Sequence, residues 1–320
     1  MRKGKKIIIF AAVILVAVGI LTAVCAMVMM NFDFGKMNTM SYVTKTYIVH
    51  EDFEDIFIDD TEADVKILPS DDGQCKVVCT EDENDTICHE VSVSKGKLKI
   101  ELNDNRSWRG YIGVFLESME VLIYLPDRAY ESIEVKTSGG SMDIPDGFSF
   151  KNVKIESSSG DISMCADVGN SLIAESSSGK IDVNKTSPET ANIRTSSGDV
   201  TVENVKGSSA LTMKTVSGHI EVSDTVIDEL TAHTSSGEMD FVNVIANEEI
   251  NAESTSGDVC FDGCDSASIF VTTSSGSVKG TLLSEKVFTT HTSSGDIDVP
   301  HSQSGGKCEI STSSGDIQFK

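Results

Sequence analysis

From about residue 133 onward, apolar and polar positions alternate in short runs, and the runs come in pairs hinged on a glycine. The hinges are Gly140, Gly160, Gly179, Gly198, Gly218, Gly237, Gly257, Gly276, Gly295 and Gly315, always 19 or 20 residues apart. With each glycine as position zero, apolar residues stand at minus seven and minus five, as in Val153 and Ile155 or Ile269 and Val271. They return at plus two and plus four, as in Val200 and Val202 or Ile317 and Phe319. Period-two alternation marks strands with one buried face, and many of these residues are β-branched, as strands favour. A fixed period near 20 residues marks a solenoid in which each repeat is one coil. No stretch beyond residue 32 carries a helical period. The pattern therefore predicts an all-β, single-stranded parallel β-solenoid of ten regular coils.

The buried positions are odd before the glycine and even after it, so the chain must turn a corner at the Ser-Gly step. Glycine is expected there for its tolerance of positive φ. A second corner, rich in Asp, Asn, Pro and Gly, precedes the next coil, with room for a third short strand. At roughly 4.8 Å per coil the regular part makes a rod on the order of 48 Å long. Position minus three is Thr or Ser in every coil, from Thr137 and Ser157 to Thr292 and Thr312. It faces inward by alternation, which predicts a ladder of stacked hydroxyls.

Upstream the pattern changes. Residues 1–6 hold four basic side chains, and residues 7–30 are almost wholly apolar, long enough to span a bilayer as a helix. The basic residues lie before the apolar run, which sets the N-terminus in the cytoplasm and the β region outside. A cleaved signal peptide ending near Ala26, or a lipoprotein signal at Cys25, remains open beside the uncleaved anchor. Residues 31–52 read as a juxtamembrane linker. Residues 53–132 read as irregular β coils that begin and cap the solenoid of residues 133–320. In that cap, Ile56 and Ile58, a turn at 59–62, then Ala63, Val65 and Ile67 form a degenerate first coil. At the other end Lys320 directly follows the inward Phe319. The last coil's edge is thus expected to be open, shielded by Asp316, Gln318 and Lys320 or covered by a partner.

Charge narrows the partners. The formal net charge is −24, and since the first six residues carry +4, the remainder carries −28. Such a surface excludes nucleic acid as a natural partner and keeps a long β rod soluble. Seven cysteines lie outside the apolar run, an odd number. Cys260 with Cys264, and Cys75 or Cys79 with Cys88, are candidate local disulfides, whereas Cys308 occupies an inward position. A zinc site near Cys75, Cys79, Cys88 and His89 stays open as an alternative, although their spacing fits no standard module.

Candidate chemistry sits on the outward face. Position plus one is often acidic: Asp161, Asp199, Glu238, Asp258, Asp296 and Asp316. These are candidate ligands for weakly bound calcium, although the Gly-Gly-x-Gly-x-Asp calcium-roll motif is absent. The alternative is a solvated acidic face. No cofactor beyond such calcium is implied. Position minus four forms a second stripe, Lys136, Glu156, Glu175, Arg194, Lys214, His233 and Glu253, whose mixed signs suggest ion pairs between coils. The loop from Asn103 to Tyr111 holds Trp108, the only tryptophan, between Arg106 and Arg109. It reads as a surface excursion, with ligand contact as the alternative. Acids that recur in every coil, instead of converging once with a basic partner, argue against catalysis.

The segments Ile56-Phe57-Ile58 and Ala63–Ser70, with repeats such as Thr195-Ser196-Ser197-Gly198-Asp199-Val200 and Thr292–Ile297, resemble the bacterial LiaG-like "putative adhesin" β-strand-repeat family. The resemblance covers Phe53 to Lys320. It implies a β-solenoid of the cell envelope, and it supplies no catalytic or ligand residues. The reading is therefore a non-enzymatic, membrane-anchored surface module that meets a cell-wall polymer or another envelope protein. An accessory sensor of envelope stress is the alternative, and a polysaccharide-active enzyme a more distant one.

Overall fold

The structure, a computed structural model, describes residues 3–29, 41–84, 86–106 and 118–320. Helix α1 (Lys3–Met29) contains the stretch Ala12–Met29, with mean hydropathy 2.8, long and apolar enough to cross a membrane. A signal sequence would meet the same criterion. The described residues that follow are built on strands.

Each regular coil contributes one strand to each of two sheets. Strands β10 (Ser149–Ser157) and β11 (Ile162–Met164) form one coil, and β12 (Asp167–Ser176) and β13 (Ile181–Asn184) the next. Pairing is parallel and in register, so Val153 stacks on Leu172, Ile155 on Ala174 and Ile162 on Ile181. Outside the outermost coil, the apolar positions predicted to face inward are buried, Ile155, Leu172, Ile181 and Val200 completely. A third buried row, at plus seven, runs through Thr186, Val205, Thr225, Val244 and Cys264. The core thus has a third, short side.

The two corners exchange the roles expected of them. None of the ten hinge glycines has a positive φ. They are glycines because the coils stack on them: a Cβ on Gly198 would lie 1.9 Å from the Gly179 carbonyl oxygen, and one on Gly257 1.7 Å from that of Gly237. The left-handed conformation belongs to the second corner, at Lys185, Asn204, Asp224 and Asn243, with φ between 49° and 55°. Gly263 continues the row at 64°. Asn and Asp tolerate this region better than other side chains. The minus-three hydroxyls hydrogen-bond glycine backbone instead of one another. The Gly218 N–H donates to Thr215 Oγ1 at 3.1 Å, and Thr215 Oγ1 donates to the carbonyl of Gly198, one coil back, at 3.2 Å.

Coil order departs from chain order at both ends of the rod. The first coil is β2 (Asp55–Asp60) with β3 (Asp64–Pro69). It lies between β6 (Lys97–Asp104) and β7 (Glu120–Leu125) on one side, and β8 (Ala129–Thr137) and β9 (Met142–Ile144) on the other. The final coil behaves likewise. Strands β25 (Gly306–Ser311) and β26 (Ile317–Phe319) are inserted between β21 (Val259–Thr272) with β22 (Val278–Leu282) and β23 (Lys286–His291) with β24 (Ile297–Asp298). The expected open edge at Asp316, Gln318 and Lys320 is therefore corrected. Ile317 is fully buried, and the outermost coil is the one carrying Gly295, where Ile297 is 46% exposed. The opposite end is closed by antiparallel strands. There β4 (Cys75–Asp82) pairs with β7 and with β1 (Tyr42–Val49), and β5 (Ile87–Ser94) pairs with β6.

Candidate surface for envelope contact

The plus-one acids have a structural use that repetition alone does not reveal. Asp161 Oδ1 accepts the backbone N–H of Lys180 at 2.8 Å, Asp199 that of His219 at 2.8 Å, and Asp258 that of Ser277 at 2.8 Å. Asp316 accepts the N–H of Asp296 at 2.9 Å, because the Gly295 coil stacks outside the Gly315 coil. Asp64 does the same for Ser141, which extends the row into the cap. Each acid closes the corner of the coil beside it. The four residues that interrupt the stripe, Ser141, Lys180, His219 and Ser277, each donate a backbone N–H to one of these carboxylates. One carboxylate oxygen is occupied in each case, and Asp161, Asp199 and Asp316 are exposed.

Glu238 is placed differently. His219, Glu238 and Asp240 bring possible ligand atoms within 4.8 Å of one another on adjacent coils, with His219 Nε2 3.3 Å from Asp240 Oδ2. Cys260 is in register with Asp240. Partial burial, with the neighbouring Asp240 carboxylate, pushes its thiol up to about 11.

On the minus-four stripe, several ion pairs run along a strand and not across coils. Lys154 pairs with Glu156 at 2.7 Å and Lys136 with Glu134 at 3.6 Å, whereas His233 and Glu253 bridge neighbouring coils at 3.5 Å. Beside the stripe an open groove of about 500 Å³ follows the Ser-Ser corners, with Glu156, Glu175, Arg194 and Lys214 along it. A second hollow of about 280 Å³ lies at the outermost coil among Phe288, Pro300, His301 and Phe319.

The cysteines are free thiols. Cys260 faces outward and Cys264 inward because the left-handed Gly263 switches the parity between them, so the expected local bridge is not formed. Cys75 and Cys79 are buried, while Cys88 points to the opposite side of its strand from the buried His89. Trp108 and Arg109 lie outside the described residues. Arg106 does not project: its guanidinium is held by Asp104 at 2.7 Å and Glu62 at 2.8 Å.

A β-solenoid with glycine-stacked corners and an apolar N-terminal helix defines the class. The profile of the Toastrack DUF4097 family matches residues 53–259 and 210–320, and the chain belongs to that family. Among solved structures it is similar to a "putative adhesin" from Bacteroides fragilis NCTC 9343, at 17% identity and a TM-score of 0.42, covering 88% of this chain and 97% of the other. It is also similar to a "putative adhesin" from Parabacteroides distasonis ATCC 8503, at 12% identity and 0.45, covering 88% and 98%. A "putative lipid binding protein" from the same organism matches at 17% identity and 0.39, covering 88% and 98%. No curated protein matches the chain.

Proposed function

We propose that this chain is a non-enzymatic, membrane-anchored interaction module of the bacterial envelope. Helix α1 stays in the membrane with its basic tip in the cytoplasm, and the β rod stands outside. The observation that carries the reading is the recurrence of outward acids on stacked coils, with Asp161, Asp199, Asp258 and Asp316 each accepting a backbone N–H of the coil beside it. Repeated, shallow polar contacts suit an extended partner, such as a wall polymer or an elongated envelope protein, better than a small substrate. Calcium enters this proposal as a bridge between the outward carboxylate oxygens and an anionic polymer. The test is co-sedimentation of the full chain, in detergent, with isolated envelopes over a salt series with and without millimolar calcium. Binding strengthened by calcium is expected. Absence of binding under every condition would remove the reading.

A further inference from the structure

Beneath the cap, away from the outer faces, lies a buried set of side chains that envelope contact does not use. Cys79 and Glu81 alternate on β4 and face the core together, and His89 comes from the neighbouring β5. Their possible ligand atoms all lie within 4.8 Å of one another, and all three residues are buried. We propose that Cys79, Glu81 and His89 form a zinc-class metal site, with Asp60 as the residue that orients the histidine.

The geometry has the parts such a site needs. The His89 ring is fixed by Asp60, whose Oδ2 lies 2.8 Å from Nε2 and whose side chain is 1% exposed. A histidine that donates one ring N–H to a carboxylate and offers the other nitrogen to the metal is the usual arrangement around zinc. The offered nitrogen, Nδ1, stands 3.3 Å from Glu81 Oε1. That is long for a charged hydrogen bond. It is close to the edge of a tetrahedron with arms of about 2.0–2.1 Å. Glu81 Oε2 is buried and is held by the Lys45 ammonium at 3.0 Å. Lys45 is 38% exposed and stands at the outer side of the cluster, where it holds positive charge against the carboxylate until a cation displaces it. A water supplies the fourth position, and the Tyr47 hydroxyl, which donates to Oε1 at 2.8 Å, steadies the carboxylate.

The ligand set selects the metal. One thiolate, one imidazole and one carboxylate favour zinc-class cations over calcium and magnesium, which take oxygen. Asp60 bonds the N–H groups of Glu62 and Ala63 through its other oxygen, at 2.8 Å each. Metal binding at His89 would therefore tie β4 and β5 to the corner of the first coil. On binding, the Cys79 thiol proton and any proton on Nδ1 leave to solvent, while Nε2–H stays with Asp60.

The test uses the full chain in detergent, titrated with cobalt(II), whose bond to a thiolate has a charge-transfer absorbance. One equivalent is expected to develop that band with the visible spectrum of a tetrahedral ion, and zinc should displace it. Cys79→Ser should abolish the band. Cys75→Ser and Cys88→Ser should retain it. Asp60→Asn should keep the band and weaken binding by about 10–100-fold, which preserves the test if Cys79→Ser fails to fold by circular dichroism. The absence of a thiolate band at saturating cobalt in the folded protein would overturn the proposal and leave the cluster as an ion-pair network. A band that survives Cys79→Ser in folded protein, or affinity unchanged in Asp60→Asn, would also overturn it.

Discussion

Asp161 reaches across to the next coil and accepts the backbone N–H of Lys180 at 2.8 Å. The bond joins a side chain to a corner that strand pairing does not close. Asp161→Ala should therefore lower stability by about 1 kcal/mol, the ordinary value of such a bond at an exposed site. Asp161→Asn, which keeps an acceptor oxygen, should retain most of it. Urea unfolding of the two variants separates the hydrogen bond from the charge: equal losses would mean that charge dominates.

The two corners of one coil should respond to substitution in opposite ways. At Gly198 an added methyl meets the Gly179 carbonyl, backbone that cannot swing aside, so Gly198→Ala should cost about 3 kcal/mol, the upper end for overpacked sites. At Asn204, with φ of 55°, Asn204→Gly should change stability by less than about 1 kcal/mol. Asn204→Val should cost about 1–2 kcal/mol. Denaturation midpoints measure all three. A mild Gly198→Ala with a severe Asn204→Gly would reverse the assignment.

Hydrogen exchange should report the inserted coil. Strands β25 and β26 are paired on both sides, whereas β23 and β24 are paired on one side among the described residues. Amides in 308–319 are thus expected to exchange more slowly than those in 286–298, although they lie nearer the end of the chain. The opposite order would show that the coils stack in chain order.

Buried thiols set the alkaline limit. Burial pushes Cys75 and Cys308 up to about 12, against an ordinary value near 9. Between those values the unfolded chain loses these protons while the folded chain keeps them. Stability contributed by keeping the thiols neutral is therefore complete below pH 9 and declines as pH rises from 9 toward 12. Cys308→Ala should make the fall of unfolding free energy between pH 8 and pH 10.5 shallower. An unchanged slope would show that Cys308 does not contribute to it.

Much of the coil was legible from the sequence because alternation and period are local signals. Val153, Ile155, Ile162 and Met164 announce their own burial. The coil order was not legible, because β21 could have met either β23 or β25, whose repeats look alike; only three-dimensional stacking distinguishes Gly295 from Gly315. The reason for the hinge glycines was hidden too, since a clash with a neighbouring coil leaves the same residue as a positive φ. The Asp60–His89–Glu81 arrangement joins residues far apart in an irregular region with no repeat to read. Its traces are Cys79 and His89, whose spacing matches no standard module, and Asp60, which stands where the regular coils place Thr or Ser.

The repeating outer face is the centre of the functional account, and shortening it is the direct test. Deleting residues 199–237 joins Gly198 to Glu238, recreates the Gly237–Glu238 junction and removes two whole coils while leaving both ends intact. A solenoid tolerates such a deletion because each coil contacts only its neighbours. The account predicts a folded protein whose binding to isolated envelopes falls by about tenfold or more, as repeated contacts are lost together. Envelope binding equal to that of the full-length rod would contradict it and move the contact to the cap or to the outermost coil.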